Sequence, residues 1–596
     1  MKILQNKSYL IALDALKVQL KSNWLLWMLT LLALRPKQFM IEYIYSSNDY
    51  RLFRDSLKPY RAFLSSLTNP PNTDSPGNLL IVAGRSMNVQ WLQIWAILSA
   101  ALSIKGCQIF AITTRGNLIQ NLYLKLFNIT LIHLEDMCID EVSIPANIAL
   151  DFKALESFSD FKQYEYKHIP IGKMALSTFS RIRATGIMDV ADQESRQEIL
   201  YWLEYLYKMI QVADLCYKKN GISILFFTEV FMEEYGALYY AALKEKLNII
   251  RFAGTVRDNA IVAQHLNTES DRTHFASIST PVWEQILSYP DTPSLDRELE
   301  QNFHDRYSDR WALSKRNQPN TQIMSVEDAR KLLGIPGGCK VGIIYSHILY
   351  DTLFFNGEDL FDNYADWLIR SVEAACANPQ LQWFIKIHPS NLWRGELEHY
   401  HGGKYEEVRL IESYIGKLPN HVKLIYPDTP LSPYTWLQLA DFGITVRGTS
   451  GIELGALGKT VITAGSGRYE NIGFTLNPAS INEYLELLAR LPDVPNPTEA
   501  QKRLGKRFAY ATFCMKPITL EYLEPVTRSG RLSIFSSDDL VFRGNFPDKM
   551  SNIPESIEHF TSWCLKKDSI DFLNPWPLPS ELSSTDLPKK TISKQS

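Results

Sequence analysis

The sequence lacks a disulfide or zinc frame. Its seven cysteines, Cys107, Cys138, Cys216, Cys339, Cys376, Cys514 and Cys564, are odd in number and scattered, with no C-x-x-C pair and no histidine at metal-ligand spacing. This pattern argues for a reducing compartment and against structural zinc. No signal peptide with a small-residue cleavage site opens the chain. Charge of one sign is not in excess: the formal net charge is −3, so no basic field recruits nucleic acid, and none is expected as a partner. Three phosphate motifs are missing. There is no G-x-x-x-x-G-K-[ST] loop and no G-x-G-x-x-G after the first apolar strand, which disfavours ATP hydrolysis and NAD binding. There is no D-x-D to hold Mn²⁺ or Mg²⁺ against a diphosphate, so no metal ligands and no permanently bound cofactor are expected.

What is present is length. A chain of 596 residues exceeds one hydrophobic core, and two large domains with extensions are the natural reading. Hydrophobic residues make up 45% and charged residues 21%, ordinary values for a globular protein. The run Trp24–Leu34 (WLLWMLTLLAL) is apolar but only 11 residues long, against the roughly 20 of a spanning helix. Lys17, Lys21, Arg35 and Lys37 flank it. It fits either a buried core helix or an interfacial helix with basic flanks and tryptophan anchors.

After a helical region over 1–68, Asn69–Gly77 (NPPNTDSPG) reads as a linker. Short apolar runs then alternate with helix-length segments. The runs Leu79–Gly84, Cys107–Thr113, Ile129–Leu134, Ile222–Phe227 and Asn248–Gly254 predict strands of a first unit over 78–300. Residues Ala146–Ala191 read as an irregular insertion, and Asp296–Ser325 as the connection between units. A second unit over 326–490 has strands at Val341–Tyr345, Trp383–Ile387, Val422–Tyr426, Phe442–Val446 and Thr460–Ala464. Such alternation means βαβ units and parallel sheets, hence two doubly wound Rossmann-like α/β domains. Residues 491–574 read as mostly helical. The tail 575–596, rich in Pro, Ser, Thr and Lys, reads as disordered.

Ligands of open α/β sheets bind beyond the carboxyl ends of the strands, so those residues carry the chemistry. The stretch RGTSGIE, Arg447–Glu453, follows a strand and opens a helix. Gly448 and Gly451 permit close backbone approach, the helix start offers N–H groups and a positive dipole, Thr449 and Ser450 add hydroxyls, and Arg447 adds a charge for a phosphate. A simpler reading is an S-x-x-E capping box from Ser450 to Glu453. In KIHPS, Pro389 biases His388 to an extended backbone, and the imidazole there can donate to a leaving phosphate or merely cap a loop; Lys386 stands two residues before it. Ser346 and His347 end another strand of the same unit.

Across Val341–Phe474 the stretches YSHILYDTLFF, FIKIHPSNLW and TVRGTSGIELGALGKTVITAGSGRY resemble bacterial capsule polysaccharide biosynthesis proteins. These are similar to Kdo transferases, to sialyltransferases with a His-Pro motif and, more distantly, to CDP-glycerol glycerophosphotransferases. The resemblance implies a GT-B glycosyltransferase with a CMP-, CDP- or UDP-linked sugar donor in the second unit. It implies nucleotide-phosphate binding by His388, Thr449 and Ser450, and places Glu453 towards the ribose. The implied acceptor is a polysaccharide or lipid-linked glycan, in the cytoplasm or at the inner face of the plasma membrane. The alternatives are a CDP-polyol phosphotransferase and a non-catalytic partner in polysaccharide synthesis or export. Transfer to a hydroxyl needs a proton acceptor from the first unit. Glu229 and Asp258 stand near strand ends there, although Glu229, with Glu233 and Glu234, also reads as the solvated start of a helix.

Overall fold

The computed structural model describes residues 46–67, 76–85, 88–255, 257–267, 274–308, 311, 320–392, 404–527, 540–567 and 569–575, with isolated positions 29, 32 and 33. Six strands form the first unit: β1 (Asn78–Val82), β2 (Gln108–Thr113), β3 (Thr130–His133), β4 (Ile222–Phe227), β5 (Asn248–Gly254) and β6 (Ala260–Leu266). Five form the second: β7 (Lys340–Tyr345), β8 (Leu381–Lys386), β9 (Val422–Ile425), β10 (Phe442–Thr445) and β11 (Thr460–Thr463). The chain then returns to the first sheet, where β12 (Ile518–Thr519) pairs antiparallel with β6.

The sheet orders are β12-β6-β5-β4-β1-β2-β3 and β11-β10-β7-β8-β9. Within these two sheets the strands pair parallel except where β6 takes part. Each sheet starts in its middle and winds outward in both directions. That places a topological switch point between β1 and β4 in the first sheet and between β7 and β10 in the second. The protein therefore has two doubly wound Rossmann-like units, the GT-B arrangement.

Helices cover both faces of the first sheet, which is why its strands are continuous apolar runs rather than alternations. Leu80, Val82, Phe110 and Ile112 face one core, while Leu79, Ile81, Ile109 and Ala111 face the other. The first core runs on into the second unit. There the segment after β7 docks on the first unit: Phe355 stacks on Phe231 at 5.3 Å, and Lys162 donates to the Asp362 carbonyl at 3.1 Å.

All ten strands expected from apolar runs form, displaced by at most two residues at an end. The span Ala146–Ala191 is not irregular: it folds as helices Ala146–Ala154, Phe158–Gln163 and Ile171–Arg183. Much of the supposed connection is the helix Pro293–Tyr307. The region after 491 holds helices Glu499–Tyr510 and Glu555–Lys566, but also β12 and a hairpin of Leu523–Thr527 with Leu540–Gly544. β6 was missed because its polar residues disguise a buried strand. Gln264 Nε2 donates to Asp571 at 3.3 Å, and His265 Nδ1 lies 2.8 Å from Asn248 Oδ1. Trp24–Leu34 and the tail from 576 onward lie outside the described residues, apart from the three isolated positions. Among the described residues no helix is long and apolar enough to cross a membrane.

Candidate functional site

The switch point of the second sheet opens into a cavity of about 320 Å³. Ser346 and His347 reach it from β7, Lys386 and His388 from β8, and Gly448, Thr449, Ser450 and Glu453 from beyond β10. Eight residues singled out in the sequence thus meet around one space.

Its anion-seeking element is the helix Thr449–Ala456. Gly448 is the N-cap and supplies no side chain to the first turn, so Ser450 sits inside the helix and the S-x-x-E capping box does not form. The N–H groups of Thr449 and Ser450 meet no acceptor among the described residues. Lys386 is 5% exposed, and its Nζ has neither a hydrogen-bond nor an ion-pair partner among the described residues. Burial pushes its pKa down to about 8, with Glu453 pulling the other way. His388 Nδ1 accepts the Ser390 N–H at 3.2 Å, so the neutral ring carries its hydrogen on Nε2. Behind this loop Glu407 accepts from Asn391 Nδ2 at 2.7 Å and from Ser346 Oγ at 3.5 Å.

Other residues of the motif act as braces. His347 Nε2 accepts the Val446 N–H at 3.2 Å and lies 3.1 Å from Thr445 Oγ1, and its ring stacks on Tyr364 at 4.8 Å. Burial and the neighbouring His388, Arg447 and Arg468 hold it well below the usual histidine range, so it stays neutral. Thr445, which no sequence motif singles out, accepts the Gly448 N–H at 3.0 Å. Arg447 does not line the cavity. Its guanidinium pairs with Asp359 and donates to Tyr364 Oη at 2.9 Å and to the Ser466 and Glu358 carbonyls at 2.8 and 3.0 Å. The charge expected on a phosphate is thus engaged in the protein. Gly451 is explained by packing: a Cβ there would lie 2.1 Å from Tyr469 Oη.

Glu453 lines the cavity, where its carboxylate pairs with Arg306 and accepts from Tyr307 Oη at 2.6 Å. Arg306 and Tyr307 end the Pro293–Tyr307 helix. Reading that region as a polar connection hid them.

Glu229 and Asp258 belong to the first unit and do not line this cavity. Asp258 lies in the turn between β5 and β6. Glu229 follows β4, and burial raises its pKa to about 7, with Arg251 opposing and Asp351 of the second unit reinforcing the shift. The switch point of the first sheet brings together two strand-end candidates of the sequence: Arg85 Nε lies 3.6 Å from Glu234 Oε2, and Glu234 is wholly buried rather than at a solvated helix start. Among the described residues no cluster of three or more His, Cys, Asp or Glu could hold a metal ion.

No family model matches the chain, and no curated protein sequence does. Solved structures with similar folds include the KpsC beta Kdo 2,4 transferase of Thermosulfurimonas dismutans, at 16% identity and a TM-score of 0.30, covering 50% of this chain and 81% of that one. The UDP-GlcNAc 2-epimerase of Neisseria meningitidis bound to UDP-GlcNAc is 13% identical with a TM-score of 0.25, covering 73% and 95%. A glycosyltransferase of Rickettsia africae is 11% identical with a TM-score of 0.26, covering 73% and 93%. Likeness this distant leaves the chemistry to the site's own residues.

Proposed function

We propose that this protein is a glycosyltransferase that takes a sugar from a nucleotide-activated donor and holds the donor phosphate in the cavity of the second unit. The observation that carries this reading is convergence: N–H groups of Thr449 and Ser450 and a Lys386 ammonium that have no partner among the described residues line one cavity with His388. Its volume lies within the range of small-molecule pockets, and Pro389, Pro433 and Leu437 give it an apolar lining against which a base can lie.

Cleavage of the sugar–phosphate bond leaves negative charge on the phosphate. The helix start and Lys386 meet that charge, and His388 donates a hydrogen bond to it from Nε2. The first unit presents the acceptor, and Glu229 takes the proton of its attacking hydroxyl. Its raised pKa suits a base working near neutrality. The acceptor, a polysaccharide or lipid-linked glycan of the cell surface, and work at the inner membrane face follow from the resemblance of the motifs.

Calorimetric titration with CMP, CDP and UDP tests the donor site, using the variants His388→Ala and Ser450→Ala. Micromolar affinity for one nucleotide, lost in both variants, supports the reading and names the donor class; transfer assays with the matching donor then separate sugar transfer from polyol-phosphate transfer. Affinity that survives both changes moves the site elsewhere. No affinity for any of the three removes the basis for donor binding.

A further inference from the structure

Arg468 and Tyr469 follow β11 and do not line the cavity. Between them they hold both carbonyls of the turn that opens the Thr449–Ala456 helix. Arg468 Nη1 donates to the Arg447 carbonyl at 3.0 Å, and Tyr469 Oη donates to the Gly448 carbonyl at 2.8 Å. In a trans peptide the N–H points away from the C=O of the same plane. The Arg447 carbonyl shares its plane with the Gly448 N–H, which accordingly reaches Thr445 Oγ1 on the other side. The Gly448 carbonyl shares its plane with the Thr449 N–H, so the Tyr469 anchor turns that N–H away from Tyr469.

A third bond acts on the side chain: Arg468 Nη2 donates to Thr449 Oγ1 at 3.1 Å. A hydroxyl that accepts on one side keeps its own hydrogen to donate on another. Both braces are buried, Arg468 at 5% exposure and Tyr469 at 1%. Burial raises the Tyr469 phenol, which therefore keeps its proton and remains a donor near neutral pH. Gly451 gives the phenol its room.

We infer that Arg468 and Tyr469 are positioning residues of the phosphate site, which set Thr449 as a double donor, through N–H and Oγ–H, to the anionic oxygens of the bound nucleotide. The inference rests on the reading of the cavity as a nucleotide site.

The test is calorimetry on the full chain with CMP, CDP and UDP and with their nucleosides, cytidine and uridine. The ratio of nucleotide to nucleoside affinity isolates what the phosphate contributes. In Tyr469→Phe and Arg468→Lys that ratio falls about tenfold, one hydrogen bond to a charged group, while nucleoside affinity holds. Tyr484→Phe removes another buried hydroxyl, one bonded to Ser371 and Trp367, and leaves the ratio unchanged. On a Thr449→Val background the Arg468→Lys loss shrinks, because the hydroxyl it oriented is gone. If wild type binds and Ser450→Ala does not, an unchanged ratio in Tyr469→Phe and Arg468→Lys overturns the positioning role alone. Should Tyr469→Phe fail to fold, Arg468→Lys decides. A wild type without nucleotide affinity, or one whose affinity survives Ser450→Ala, overturns the nucleotide site and this inference together.

Discussion

Tyr307 donates its phenolic hydrogen to Glu453 Oε1 at 2.6 Å, joining the helix that leaves the first unit to a wall of the cavity in the second. Glu453 is buried and Tyr307 half-buried, and Tyr307 also stacks on Tyr434 at 5.6 Å. Removing only the hydroxyl leaves Glu453 with Arg306 and without its short neutral donor. Tyr307→Phe is expected to lower the unfolding free energy by about 1–2 kcal/mol. Urea denaturation reads this directly, and a change below about 0.5 kcal/mol would show that the bond contributes little.

Lys386 gives a pH signature. Its pKa is depressed to about 8 in the folded protein, so the folded state holds this proton less tightly than the unfolded chain does. Stability from this group therefore rises as pH climbs from about 8 towards the ordinary lysine value, and the burial penalty is fully present below about 8. Lys386→Met should raise the thermal midpoint at pH 7, with the gain fading by pH 10. An anion in the cavity favours the charged amine, so nucleotide binding near pH 8.5 should take up a proton and binding at pH 6 should not. Calorimetry in buffers of different ionisation enthalpy measures that uptake; its persistence in Lys386→Met would assign it to another group.

The second unit was the more legible of the two because its chemistry sits at strand ends. β7, β8 and β10 are short buried runs, and the residues after them, Ser346, His388 and Thr449, were bound to gather at one edge of the sheet. Direction within that edge was not legible. Arg447 and Thr449 are two residues apart, yet the arginine turns towards Asp359 while the threonine lines the cavity. Partners distant in sequence decide such matters: Asp359, Tyr364 and Tyr469 claim Arg447 and Gly451 through tertiary packing that no local pattern encodes. β12 escaped for a related reason, since two residues make no periodicity and only the neighbouring β6 defines them as a strand.

Glu407 predicts a second pH effect, of opposite sign. It is 2% exposed, and burial raises its pKa to about 7 despite the bond from Asn391. The folded state binds this proton more tightly than the unfolded chain, so the stabilisation is present at acid pH and is lost as pH rises through about 7. Glu407→Gln keeps an oxygen for Asn391 and removes the buried charge. It should match wild type near pH 4.5 and exceed it at pH 8 by on the order of 2 kcal/mol. Denaturation curves at both pH values check this, and equal differences at the two would dissociate Glu407 from the pH dependence.

Glu229 separates binding from chemistry. Its carboxyl titrates near 7, held up by burial and by Asp351 against the pull of Arg251 and Arg181. As the base of the proposed transfer it works only when ionised, so kcat/KM should fall below pH 7 with a slope of one proton. Glu229→Gln should lower kcat by about a hundredfold or more, within the usual worth of general-base catalysis, and leave nucleotide affinity intact because the residue lies outside the cavity. Glu229→Asp should retain part of the rate. A glutamine variant with wild-type kcat, or a profile whose acid limb persists without Glu229, would give the base role to another group and leave the donor site standing.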